Sequence, residues 1–294
     1  MLTRRALALA PLAAAMPARA GEPRLVVAGG GIAEIICALG ARTRIAGVDS
    51  TVLFPTALRR LPQIGYLRSL SAEGVLSLRP DLLVAAHEAG PPEVLDQLEQ
   101  AGVRMVRVGR IHDPVSLVAA IRMVAAALDR SAEGERLAAA LTADFAALAR
   151  FAADPPHRPR VVFVLAIGGG APQAAGRETA ADAMLALAGA ENVVTDYRGY
   201  RPVSAESLLA ASPEAVVTTS HTVAALGGVE GIAAIPALAV LPAVRRRRIV
   251  ALDSLYLLGF GPRTAHAARD LAAALHEAAR VPALPHRAWL DDVA

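Results

Sequence analysis

One string occurs twice in this chain at the same spacing. Ser71-Ala72-Glu73, six residues, Pro80-Asp81 and an apolar run recur as Ser204-Ala205-Glu206, six residues, Pro213-Glu214 and a second apolar run. Each serine is placed to N-cap a short helix, and each glutamate falls in the first turn, where the helix dipole favours a carboxylate. Each proline stops that helix, because the residue before it avoids the helical region. The surrounding pattern is of short β-branched runs and helical stretches. Strands are expected at Leu25–Ala28, Ile45–Val48, Leu82–Ala86 and Met105–Val108, with a tight turn at Gly29-Gly30-Gly31 and a helix over Ala33–Leu39 closed by Gly40. Asp113 to about Phe151 is one long Ala- and Leu-rich helical pattern, and Asp154–Pro159 is a proline-rich boundary. A second unit starts at Arg160–Leu165 and carries its own glycine run, Gly168-Gly169-Gly170. Strands alternating with helices imply parallel α/β organisation, and the repeated string makes it bilobal and pseudo-symmetric. The expected division is an N-terminal lobe over 22–112, a linker helix over 113–153 and a C-terminal lobe over 158–294. Ligands of open parallel sheets bind beyond the carboxyl ends of the strands, so two such lobes would face each other across a cleft.

Composition narrows the function. A 54% hydrophobic and 19% charged chain is not disordered, and a single cysteine, Cys37, excludes a disulfide framework or a multi-cysteine zinc site. The net charge of +3 and the pI of about 9.6 invite a nucleic-acid partner. The first twenty residues remove that reading. Arg4 and Arg5, the apolar stretch Ala6–Met16 and the small-residue site Ala18-Arg19-Ala20 have the plan of a secretory signal too short to span a bilayer. Thr3-Arg4-Arg5 is only a fragment of a twin-arginine signal, and no cysteine stands at the cleavage site for a lipid. Cleavage near Ala20 would remove Arg4, Arg5 and Arg19 and no acid, leaving 27 basic against 27 acidic residues. The expected product is an exported, periplasmic protein of zero formal charge with no nucleic-acid partner; Arg245–Arg248 reads as a solvated turn before a strand at Ile249–Leu252.

Few residues suggest chemistry. Tyr66 lies two positions before Arg68 in a loop ahead of the first repeated helix. A neighbouring positive charge favours the phenolate, which is a ligand for ferric haem; the alternative is a loop tyrosine packed on its own lobe. His87 and His221 each follow one of the repeated strands and, with Glu88, could seed a transition-metal site, although such histidines also serve simply as loop residues. Gly29-Gly30-Gly31 with Asp49 loosely resembles a dinucleotide fingerprint, but Glu34 stands where its third glycine belongs. No G-x-S-x-G string occurs, and Cys37 lies within an apolar helical pattern as an expected buried thiol. No enzyme is expected.

The strings GYLRSLSAEGVLSLRPDLLVA and AGGGIAEIICALG, with AAGRETAADAMLALAGAENVV, YRPVSAESLLAASPEAVV and LLGFGPRT, resemble the haemin-binding periplasmic proteins of bacterial ABC haem importers, from about Arg24 to His276. That resemblance implies two Rossmann-like α/β lobes joined by a single long helix and haem b, as transported ligand, held in the cleft between them. It implies Tyr66 as axial iron ligand, Arg68 hydrogen-bonded to its oxygen, and Glu73 and Glu206 as the docking points of a monomer on the permease dimer. Arg177 and Arg263 become candidates for haem propionates. Tyr256 is either a cleft-facing ring or a core residue, and His87 and His221 are further candidate haem contacts. Ile167 stands where some relatives place a second-haem histidine, and Ala33 where a hydroxyl is common. A siderophore or cobalamin carrier of the same fold is the nearest rival, with a transition-metal binder behind it.

Overall fold

The computed structural model describes residues 23–165, 172–276 and 281–292. The expected signal segment, Ile167 and the glycine run at 168–170 lie outside the described residues. The N-terminal lobe contains β1 (Leu25–Ala28), α1 (Gly30–Ala38), β2 (Ile45–Val48), the hairpin β3 (Gly65–Tyr66) and β4 (Ser69–Leu70), α2 (Ala72–Ser77), β5 (Leu82–Ala85), α3 (Pro92–Gln100) and β6 (Met105–Arg107). Then come α4 (Pro114–Ala127) and α5 (Ser131–Ala153). The C-terminal lobe contains β7 (Arg160–Leu165), β8 (Gln173–Ala175), α6 (Ala180–Leu187), β9 (Glu191–Asn192), β10 (Tyr200–Pro202), α7 (Ala205–Ala211) and β11 (Ala215–Thr219). It continues through α8 (Ser220–Ala225), α9 (Val229–Ala233), α10 (Pro236–Ala239), α11 (Pro242–Arg245), β12 (Ile249–Leu252), α12 (Ser254–Leu258) and α13 (Thr264–Leu275).

The two lobes share one sheet plan. The N-terminal sheet runs β2-β1-β5-β6, all parallel. In the other lobe β9, β7, β11 and β12 lie in the corresponding order, also parallel. Two antiparallel strands, β8 and β10, extend this second sheet from the carboxyl end of β7. The repeated string builds the same local structure in each lobe. Ser71 Oγ accepts from the Gly74 N–H at 3.0 Å and Ser204 Oγ from the Ser207 N–H at 3.1 Å. The residues before the two prolines, Arg79 and Ser212, both end their helices in the left-handed region, at φ 49° and 46°.

Two expectations need correction. The glycine run after β1 is not a three-residue turn, since α1 already begins at Gly30. The helical stretch over 113–153 is two helices, because the chain reverses at Leu128-Asp129-Arg130, with Asp129 at φ 58°. Asp113 starts α4 through a capping box with Ser116. α4 packs on α5 and α1, while α5 runs on to α6 and α13, so α5 alone is the long connection between lobes.

The lobes are not separate bodies joined by that helix. One apolar cluster takes in Val27, Ile32, Ile36 and Ile121 from the first half and Phe163, Met184, Leu257, Phe260 and Leu271 from the second. At its edge Glu34 of α1 meets Arg263 in a buried ion pair with two hydrogen bonds, 2.6 and 3.0 Å. The guanidinium lies 3.7 Å from the Phe54 ring centroid and 5.1 Å from that of Tyr256. Burial raises the Glu34 carboxyl above its ordinary range, and the hydrogen bonds from Arg263 pull against that rise. Beside the pair the backbones nearly touch: a Cβ on Gly31 would collide with the Gly259 carbonyl, and one on Gly30 with the Leu255 side chain. This close approach, and not a phosphate, is what the glycines after β1 serve. Asp49, the other half of the dinucleotide resemblance, is fully buried and accepts from the N–H groups of Gly29 and Thr51.

The last described residues return to the N-terminal lobe. Arg287 pairs with buried Asp144 of α5 at 2.6 Å, and Asp292 accepts from the backbone N–H and hydroxyl of Thr56, each at 2.7 Å. Removing one partner of a buried ion pair strands the other charge. Glu34→Ala is therefore expected to cost about 3–5 kcal/mol, read as a lowered urea midpoint, whereas Glu34→Leu combined with Arg263→Met recovers most of that loss.

Candidate functional site

The β3–β4 hairpin is locked onto the carboxyl edge of the N-terminal sheet. Ile64 N–H donates to the Val48 carbonyl at 3.0 Å and Ser50 N–H to the Gly65 carbonyl at 2.9 Å, which ties its base to the end of β2. Leu70 N–H donates to the Gly90 carbonyl at 2.8 Å, and Gly90 N–H to the Leu67 carbonyl at 3.0 Å, which ties its tip to the loop after β5. Gly65 sits at φ 105°, where a side chain is strained, and a Cβ there would lie 2.7 Å from the Ser69 carbonyl oxygen. Leu67 packs into the apolar cluster beneath. The residues on either side of it, Tyr66 and Arg68, are turned outward, and Tyr66 is 51% exposed. A large phenol left open on a hairpin this firmly held is unusual, since nothing in the local packing requires it.

Opposite the hairpin stand residues of the C-terminal lobe. Burial raises the Tyr200 phenol above its ordinary range; hydrogen bonds from the Ala181 backbone and Thr179 and the charge of Arg68 oppose that rise. Arg68 thus lies within electrostatic reach of the other lobe. Tyr200 is the first residue of β10 and faces Ala175 of β8 in register. Two positions on, Arg177 is exposed, with its backbone bonded to Tyr197 and Gly199, and among the described residues its guanidinium has no ion-pair partner. From the loop after β6, Arg110 crosses between lobes and donates to the Glu178 carbonyl at 2.6 Å. Arg68, Arg110 and Arg177 are thus exposed on segments where the lobes approach each other, with Tyr66 on the hairpin beside Arg68, whereas the Tyr200 ring packs edge-on against Phe163 and the core. The exposed Tyr66 phenol is an oxygen donor suited to a hard metal ion, and the guanidinium forks are suited to carboxylates.

Arg263 and Tyr256 are elsewhere. The Arg263 guanidinium is committed to Glu34 and is not turned to an incoming carboxylate. Tyr256 donates its hydroxyl to Asp270 at 2.8 Å, and burial followed by that carboxylate pushes its phenol far up, so it takes the core role. His87 and His221 are both exposed at the carboxyl ends of their strands. Among the described residues no group of three or more His, Cys, Asp or Glu side chains is gathered to hold a metal ion, which the transition-metal reading requires. Burial pushes the Cys37 thiol up to about 12, which disfavours the thiolate that nucleophilic attack needs. Glu73 and Glu206 are exposed at the starts of α2 and α7, and among the described residues neither has an ion-pair partner.

Sequence reasoning passed over Arg110 and Tyr200. Tyr200 carried a signal: Gly199-Tyr200 precedes the second Ser-Ala-Glu as Gly65-Tyr66 precedes the first, one residue closer, and both glycines have positive φ, 78° and 105°. Arg110 had none beyond its place past a strand end.

Residues 25–256 match the model of a family described as periplasmic binding protein. The chain belongs to the periplasmic binding protein family. Among solved structures this binding protein is similar to the periplasmic heme-binding protein RhuT from Roseiflexus sp. RS-1 in apo form, with 43% identity and a TM-score of 0.84, over 88% of this chain and 100% of that one. It is equally similar in sequence to the periplasmic heme-binding protein BhuT in complex with two hemes, at 43% identity and a TM-score of 0.82, covering 87% of this chain and 99% of that one. A curated relative, the vitamin B12-binding protein of Salmonella typhi, is 27% identical over 182 residues, 61% of this chain and 66% of its own length. These relatives are binding proteins by name, and no helix among the described residues is long and apolar enough to cross a membrane.

Because Gly65 alone permits the hairpin geometry, Gly65→Ala is expected to destabilise the protein by about 1–3 kcal/mol. Hydrogen exchange should then quicken at the amides of residues 64–71 and leave those of β1 and β5 protected.

Proposed function

We propose that this protein is a periplasmic carrier that captures ferric haem b in the cleft between its lobes and delivers it, as a monomer, to the permease dimer of an ABC importer. The observation that carries the reading is the outward Tyr66 beside Arg68 on a rigid hairpin, in a chain similar over nearly its whole folded length to heme-binding proteins. A phenolate is a hard anionic oxygen donor and favours ferric over ferrous iron. Tyr66 would supply the axial ligand, and Arg68, next but one along the chain, would stabilise its ionised oxygen. Arg177 and Arg110 fit the propionates, since an arginine meets a carboxylate with a planar pair of donors. His87, on the loop that holds the hairpin tip, and His221 remain candidate contacts at the edges of the cleft. The protein is read as binding and releasing its cargo without changing it.

Export would follow from the segment 1–20. Docking would use Glu73 and Glu206, one per lobe, against cationic side chains of the two permease halves; the shared strand order and the matched serine caps support that symmetry. The similarity to vitamin B12-binding proteins supports a cobalamin carrier as a second reading, over a smaller share of the chain and at lower identity. That reading gives Tyr66 no task.

Mature protein titrated with haemin is expected to bind tightly and give the absorption spectrum of a ferric phenolate complex. Tyr66→Ala should lose that spectrum and at least about ten-fold in affinity, about 1.4 kcal/mol. Haemin dimethyl ester should bind wild type more weakly than haemin does, and that difference should shrink in Arg177→Ala. Unchanged haemin binding by Tyr66→Ala, or tight binding of cobalamin instead, would overturn the reading.

A further inference from the structure

Four large apolar side chains are exposed among the described residues: Tyr66, Val115, Met123 and Leu209. Tyr66 has a proposed task. Leu209 is 43% exposed and sits on α7, three residues after Glu206. Residues three apart on a helix are neighbours on its surface, so an acid and an apolar side chain share one outward patch. The adjacent Leu208 is buried in the lobe and anchors the helix, and Leu209 belongs to none of the apolar clusters of the described residues. Apart from Glu206 the exposed residues of α7 are Ser207, Leu209 and Ala210, with no second charge.

The internal repeat supplies a control within the same molecule. Position for position, α2 offers Glu73, with Val75 buried as Leu208 is, and Leu76 where α7 has Leu209. Leu76, however, is partly covered and packs on the apolar cluster of its own lobe. The two docking helices thus present the same acid and differ in how much apolar surface stands beside it.

We propose that Leu209 is an apolar anchor for the importer, inserted by the C-terminal lobe into a recess of the permease half that pairs with Glu206, and that the N-terminal lobe docks through Glu73 without an equivalent anchor. This rests on the docking reading above. The partner surface it fits carries a cationic side chain with an apolar hollow within one helical turn, about 5–6 Å away. An exposed leucine that becomes buried on association loses its contact with water and adds to affinity in a way that salt does not screen. The C-terminal lobe is then the tighter of the two attachments, whichever of the two equivalent permease halves it meets.

The test uses the mature full chain and the permease–ATPase complex it serves, purified and reconstituted in nanodiscs, with affinity read by surface immobilisation at low and high salt. Leu209→Asn is expected to weaken binding about ten-fold or more, at both salt concentrations, and Leu76→Asn no more than about three-fold, with haemin titrations unchanged for both. Glu206→Arg should abolish binding. Wild-type affinity for Leu209→Asn alongside loss in Glu206→Arg overturns the anchor and leaves the docking reading standing. Wild-type affinity for Glu73→Arg and Glu206→Arg together overturns the docking reading, and the anchor with it.

Discussion

The Glu34–Arg263 pair joins the two halves of this molecule beside a place where their backbones come close. A carboxylate and a guanidinium taken out of water cost several kcal/mol each, and the pair repays that only with good geometry. Here the geometry is two-pronged, with an aromatic ring on Phe54 and another on Tyr256 near the cation. Much around it follows from accommodating the pair. Glycines at 30 and 31 let α1 reach Leu255 and Gly259, and Tyr256 turns its hydroxyl to Asp270. The loop bearing Phe54 is held from behind by Asp292 through Thr56. The pair thus stands with the shared apolar core among the contacts that hold the two sheets together.

The elements written in local chemistry were legible in the sequence. Serine caps and prolines announced α2 and α7, and apolar runs gave Leu25–Ala28, Ile45–Val48, Arg160–Leu165 and Ile249–Leu252 without shift. The turn at Leu128–Arg130 was not legible, because Asp129 adopts a left-handed conformation in a stretch otherwise rich in helix formers. What decides that turn is the packing of α4 against α5 and α1, a long-range matter. The same limit applied at the cleft. Tyr66 and Arg68 are neighbours in sequence, so their pairing could be read; Arg263 and Glu34 lie 229 residues apart, and only the folded chain makes them partners. Arg263 therefore looked like a ligand-binding arginine and is a structural one.

Repetition also changes what a single chain can offer a symmetric partner. A helix start with an acid in its first turn stands on each lobe, and the two lobes share strand order, cap geometry and left-handed helix ends. The two halves also differ. The second lobe has the extra strands β8 and β10, which bring Arg177 and Tyr200 toward the hairpin of the first.

One apolar core takes in residues of both lobes, from Val27 to Leu271. On the carrier reading proposed above, the cleft would then work as a caliper of fixed gauge, accepting a guest that matches its width instead of closing around it. Release from such a caliper would have to be driven by the partner it docks on, against the shared core and the Glu34–Arg263 pair.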